Sequence, residues 1–179
     1  MKEVRQLMNE GENGRAQQIM NAWPERVRNL RLMQLLNIQL QSAKENNKEY
    51  VAAIERFASE FPDARNAPLL MIDAYFLTEN YPKAMDAVNR LDMFVKGDPF
   101  LIFYRGLISK MAGDTAAYYD YISKAYAASK DMGDVILEKM FVAHQQGDTA
   151  GEREAGQVYR ANPKFNQDRL TQTRAMMSE

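Results

Sequence analysis

Punctuation at a near-constant interval constrains this chain more than any other feature. Glycine or asparagine interrupts apolar-periodic stretches at Gly11, Asn46-Asn47, Asn80, Gly113 and Gly147; counted from Asn47, the steps are 36, 33, 33 and 34 residues. Each interruption separates two segments whose apolar residues recur at helical spacing. After the turns, the next helix opens with pairs four apart: Ala16 with Met20, Ala53 with Phe57, Ala84 with Val88, Tyr118 with Ile122. Positions i and i+4 share one helix face. Pro24, Pro62, Pro99 and Pro163 close the units, because a residue without an N–H cannot continue the helical ladder. Their steps are 38, 37 and 64 residues, the last close to two units with Gly133 at the intervening boundary. A period of this length marks stacked supersecondary units, each burying its apolar face only against its neighbours.

The spacing therefore predicts an all-α array over residues 1–163. It comprises a partial first hairpin (1–24) and four fuller ones (25–62, 63–98, 99–131, 132–163). Residues 164–179 carry a thin stripe of Phe165, Leu170 and Met176 or Met177, and are expected to form a polar capping or fraying helix. The unit resembles the tetratricopeptide repeat (TPR), whose pattern is W-x2-L-G-x2-Y, A-x3-F and P. Met71-Ile72-Asp73-Ala74-Tyr75 stands where L-G-x2-Y does, followed by Ala84-x3-Val88; Gly106 lies seven residues before Gly113; Ala53-x3-Phe57 runs to Pro62. The repeats are degenerate: Ile72 and Met140 replace the glycine, and Tyr118 and Glu152 the second-helix alanine. The resemblance implies a right-handed solenoid of antiparallel helix hairpins, with Ala74 and Ala84 at close crossings and Tyr75 in the seam between neighbours.

Composition excludes several chemistries. There is no cysteine, so disulfides, thiolate nucleophiles and cysteine-ligated metals are out. The net charge is -1, and the only basic cluster, Arg26, Arg28 and Arg31 near Trp23, is too small a footprint for nucleic acid. No apolar run approaches the roughly 20 residues of a membrane span, and the N-terminus, with Val4, Leu7 and Met8 on one face, reads as a helix rather than a signal segment. His144 is the only histidine, which removes two-histidine metal sites. No G-x-S-x-G elbow occurs, and "GENG" (11–14) and "GDTAG" (147–151) lack the lysine of a phosphate loop. Carboxylate pairs such as Asp63 with Asp73 or Glu152 with Glu154 have nothing to split their pKa values, as acid–base work requires. The chain reads as a non-enzyme with no cofactor and no metal.

What remains is a binding surface. First helices of successive hairpins line the concave side of such arrays. Aligned on their turns, they place Asp73, Phe76 and Leu77, then Phe103, Leu107, Lys110 and Met111, then Leu137, Phe141, His144 and Gln145 on that face. An aromatic and methionine floor suits another protein or an extended peptide, and the phenylalanines Phe76, Phe103 and Phe141 are expected to be more accessible than Tyr75 and Ile122. The lysine, asparagine and arginine clamp with which some TPR proteins hold a C-terminal carboxylate is absent: Leu69, Asp73, Phe103, Leu107, Leu137 and Phe141 stand in its place. Tyr119 and Tyr126 lie on another face, as seam packing or a second contact surface. The alternative reading is a structural or oligomerisation segment of a larger protein, its groove filled by itself or by a second copy in a homodimer. The F-x3-F-P-D closure (Phe57 to Asp63) is similar to repeats of bacterial envelope-assembly and lipoprotein scaffolds, which implies a periplasmic or envelope location.

Overall fold

A computed structural model describes residues 1–44 and 47–178. All regular elements among them are helices, and they fall into two compact units, Met1–Phe94 and Val95–Glu179. The first contains α1 (Lys2–Asn9), α2 (Asn13–Asn21), the single turn α3 (Glu25–Arg28), α4 (Arg31–Ala43), α5 (Asn47–Glu60), α6 (Ala67–Leu77) and α7 (Tyr81–Val95), which ends at the unit boundary. The second contains α8 (Pro99–Met111), α9 (Thr115–Ala128), α10 (Gly133–Gln145), α11 (Thr149–Ala161) and α12 (Gln167–Met177).

The punctuation is a repeated helix stop. After α1, α6, α8 and α10 the chain enters the left-handed region at Gly11 (φ 77), Glu79 (φ 54), Gly113 (φ 79) and Gly147 (φ 70). In the third turn Gly113 N–H donates to Lys110 O (3.1 Å) and Asp114 N–H to Ser109 O (2.9 Å). The other three repeat this pair, which satisfies the orphan carbonyls of the first helix and reverses the chain. In three of the four turns the sixth residue then caps the second helix: Asp114 accepts from Ala117 N (3.0 Å), Asp148 from Gly151 N (2.9 Å) and Asn80 from Lys83 N (3.3 Å), whereas Glu12 makes no such bond. The break expected at Asn80 is thus shared by two residues, with Glu79 taking the left-handed position and Asn80 the cap. Asn46 lies outside the described residues, and Asn47 is the first residue of α5.

Hairpin partners pack as α1 on α2, α4 on α5, α8 on α9 and α10 on α11. In the first unit one core joins Val4, Leu7, Ala16, Met20, Leu36 and Leu40, and α5 also packs on α6. In the second, α10 meets α9, α11 and α12 around Ile122, Ile136, Met140 and Tyr159. Small residues set the crossings. A Cβ on Gly106 would meet Ile122 Cδ1 at 2.8 Å and Tyr121 Cβ at 3.4 Å, so α8 and α9 approach closely here and a larger residue would require the Ile122 side chain to shift. Ala74 and Ala84 have no exposure. Ala84→Leu is therefore expected to overpack the hairpin and cost about 1–3 kcal/mol; an unchanged thermal melt would contradict the close packing around Asn80.

The seams carry a polar lock as well. Glu55 on α5 accepts from the Tyr75 hydroxyl (2.8 Å) and from Lys83 Nζ (2.8 Å), while the ammonium lies 5.3 Å from the Tyr75 ring. Glu154 on α11 binds Tyr126 (3.1 Å) and Lys130 (3.2 Å) in the same way. Burial and then Glu55 push the Tyr75 hydroxyl up to about 12. The carboxyl of Glu55 is held below its ordinary range, first by Lys83 and then by Tyr75. Glu154 is lowered by Lys130 and then Tyr126. Carboxylates depressed in the native state contribute stability that is present above their unfolded pKa and lost as pH falls through the native one. The melting temperature should hold from neutral pH to about 5 and decline below about 4. Glu55→Gln should flatten that decline; an acid profile that overlays the parent's would show the lock contributes nothing.

Candidate functional site

The second unit gathers three first-helix faces around one cleft of about 580 Å³. α8 is fixed at its start by Asp98, whose carboxylate accepts from Phe100 N (2.9 Å), with Pro99 as the first helical residue. At helical spacing it then presents Phe100, Phe103, Leu107 and Lys110, with Tyr104 beside them. Phe100 meets Tyr104 edge-on (4.8 Å between centroids) and leans on Phe103 (6.3 Å). α10 adds Leu137 and Phe141 to the floor, and α12 closes the far wall with Thr173 and Met176.

The charges of the cleft are already spent on each other. Asp134 on α10 pairs with Arg169 on α12 at 2.5 Å. Glu138 pairs with Lys110 and also accepts the hydroxyl of the buried Tyr118. Burial, with Glu138 second, raises the Tyr118 hydroxyl far above its usual range. Lys110 Nζ also lies 4.8 Å from the Phe141 ring and 5.1 Å from that of Tyr118. Thr173 gives its hydroxyl to Arg169 O (2.9 Å). Two cations face two anions, so the cleft offers apolar contact without a net charge to select its occupant. Among the described residues no group of three histidine, cysteine, aspartate or glutamate side chains could hold a metal.

Of the residues anticipated from sequence, Phe103, Leu107, Lys110, Leu137 and Phe141 meet in this cleft. Met111 is exposed and outside its lining, and His144 lines a separate hollow with Arg153 and Arg174, its Nδ1 3.0 Å from Glu152 Oε2. Gln145 accepts the Tyr119 hydroxyl (3.3 Å). Asp73, Phe76 and Leu77 belong to the first unit, where Asp73 and Leu77 are exposed and Phe76 is half-buried, edge-on to Tyr81 at 6.4 Å. Phe76 and Phe141 are half-buried and so more accessible than the buried Tyr75 and Ile122, as expected, but Phe103 exceeds those two only narrowly. Phe103 is 7% exposed and Tyr75 4%, so Phe103 is a core side chain showing one edge to the cleft, because α8 rotates it towards Leu137 and the second-unit core. Tyr126 is buried in the seam. Phe100, Tyr104, Asp134, Glu138, Arg169, Thr173 and Met176 were not anticipated as site residues. The α12 members lie beyond the last turn signal, yet α12 occupies the place of a further first helix: Leu170 is buried and Arg169, Thr173 and Met176 follow at spacings of four and three.

Three solved structures share this fold. A double mutant of MamA from strain RS-1 superposes with a TM-score of 0.72 at 11% identity, covering 89% of this chain and 90% of that one. A MamA fragment running from position 41 to its end, from Desulfovibrio magneticus RS-1, gives 0.70 at 10% identity over 91% and 94%. PilF of Pseudomonas aeruginosa gives 0.67 at 12% identity over 98% and 86%. These are TPR proteins, and at such identity the likeness shows the fold alone: an all-α, TPR-like helical repeat. No family model and no curated protein matches the sequence. No helix among the described residues is long and apolar enough to cross a membrane.

Proposed function

We propose that the chain is a non-catalytic scaffold that binds another protein or peptide through the first-helix faces of its hairpins. The observation that carries this reading is the cleft between α8, α10 and α12, with its aromatic and aliphatic floor and internally neutralised walls. A neutral cleft with an apolar floor favours a segment anchored by apolar side chains. In this reading residues 1–163 are the array and 164–179 its cap. Met111 and His144 extend the surface beside the cleft, and Asp73, Phe76 and Leu77 offer the corresponding face of the first unit. A bacterial envelope location is part of the proposal; the F-x3-F-P-D closure supports it, and cell fractionation checks it.

Peptides selected on the full chain from a random display library test the site. Leu107→Glu places a charge on the apolar floor, and Phe141→Ala removes an anchor. Each should weaken the selected peptides by about 2 kcal/mol or more while far-ultraviolet dichroism stays unchanged. Peptides that bind both variants as well as the parent would place recognition elsewhere. A second reading, self-association, is favoured by the exposed Leu69 and Leu77 on α6. Solution mass decides between the two: a concentration-independent monomer removes the second reading, whereas a dimer broken by Leu77→Glu removes the need for a foreign partner at that face.

A further inference from the structure

The first unit holds a cleft of a different chemical character, about 500 Å³, between α2, α4 and α5. Aligning α4, α6 and α10 on their C-caps, Lys44, Thr78 and Gln146, puts Gln34 level with Pro68 and Ile136, and Gln41 level with Tyr75 and Ala143. Elsewhere these positions fill a seam. Here they are carboxamides, and space remains above them. Gln17, Asn21 and Asn37 bring the primary amides of the cleft to five, and Trp23 forms a partly exposed wall.

The amides are pre-arranged. Gln41, 5% exposed, donates from Nε2 to Gln17 Oε1 (2.7 Å) and Asn37 Oδ1 (3.0 Å) and accepts from Lys44 Nζ (3.2 Å). Gln34, 6% exposed, is held through its Nε2 by Glu60, but its Oε1 has no donor among the described residues. A buried acceptor without a donor is rare and costly in a folded protein. The other cations are engaged, Lys44 by Glu49 and Arg56 by Glu60, whereas the Arg28 guanidinium has no hydrogen-bond or ion-pair partner among the described residues.

We propose that this cleft is a carbohydrate site for an N-acetylated pyranose oligosaccharide, independent of the peptide cleft. Planar amides and a guanidinium each pair with two neighbouring hydroxyls, which both donate and accept. An indole face takes the apolar C–H face of a sugar ring. The acetamido group supplies an N–H donor of the kind Gln34 Oε1 lacks and a carbonyl for the amide N–H groups around it. Beside the amides the lining holds Met20, Met33, Ala52 and Ala53, apolar contact for the C–H edges of a sugar ring in addition to the Trp23 wall. The volume suits roughly two pyranose rings.

Trp23 is the only tryptophan, so its emission reports on this cleft alone. Titrating the full chain with chitotriose should change that emission saturably, and cellotriose, without acetamido groups, should bind at least about tenfold more weakly. Asn37→Leu and Gln34→Leu should each weaken chitotriose by about tenfold or more with far-ultraviolet dichroism unchanged; Asn37→Leu also takes an acceptor from Gln41 Nε2 and should lower the melt modestly without unfolding the chain. If Gln34→Leu lowers the melt, Asn37→Leu, on a partly exposed position, carries the test. No emission change up to the solubility limit would overturn the proposal. So would equal binding of cellotriose, unweakened binding to Asn37→Leu, or the same response to triglycine, which would make the cleft a peptide-amide site.

Discussion

Phe103→Ala is expected to destabilise the second unit by about 3–5 kcal/mol, the range for truncating a buried phenylalanine. Phe103 is 7% exposed and lies in one cluster with Tyr118, Ile122, Leu137 and Tyr159. Alanine would leave a cavity beneath α8 that this frame cannot collapse, since Gly106 already holds α8 and α9 at contact with Ile122. The measurement is a denaturant melt of the full chain beside Leu107→Ala. Leu107 lies one turn further along the same face and is partly exposed, so its truncation should cost markedly less. If Phe103→Ala melts like the parent, the aromatic is a surface anchor and the second-unit core is drawn wrongly. The outcome also bears on binding. A collapsed variant loses peptide capture for structural reasons, which is why Leu107 and Phe141 are the residues that probe the cleft.

The helical architecture was legible because its signals are local. A left-handed residue after a helix, a side-chain cap, and a small residue at a crossing each need a particular residue type at a fixed position. The identical Gly-Asp-Thr-Ala at 113–116 and 147–150 writes that device twice, 34 residues apart. Five of the residues anticipated on first-helix faces, Phe103, Leu107, Lys110, Leu137 and Phe141, meet in one cleft, while Met111 and His144 lie outside its lining. Accessibility was not legible. A phenylalanine at a first-helix position reads alike whether it stands on the floor or sinks below it, and only the rotation of α8 against α10 separates Phe103 from Leu107. The polar partners were hidden because they are long-range: Tyr118 and Glu138 are 20 residues apart, Asp134 and Arg169 are 35. The amide cleft of the first unit was hidden for another reason. Gln34, Asn37 and Gln41 resemble any polar stripe of a helix until the structure shows two of them buried.

The second large effect is expected at Glu138, which serves the seam and the cleft at once. Its carboxylate takes the hydroxyl of Tyr118, 2% exposed, and the ammonium of Lys110, which also lies near the rings of Tyr118 and Phe141. Glu138→Leu keeps the bulk and removes both acceptors. It strands a buried phenol and leaves a cation without its carboxylate, at a cost of about 2–3 kcal/mol. The figure sits below that for a fully buried pair because Lys110 is 40% exposed and part of its charge returns to water. Glu138→Gln keeps an acceptor for Tyr118 and should recover about half of the loss. Adding Tyr118→Phe to Glu138→Leu removes the stranded hydroxyl, so the two losses should fall short of adding by about 1 kcal/mol. Strict additivity would mean that Tyr118 and Glu138 act independently, and the hydroxyl then finds water along the seam. Glu138→Leu also turns a balanced cleft into one with a single positive charge, so the variant should shift selected peptides towards acidic ones while the parent's show no such bias. A variant that loses stability but selects the parent's peptides would confine Glu138 to the seam and leave the cleft's neutrality without influence on what it binds.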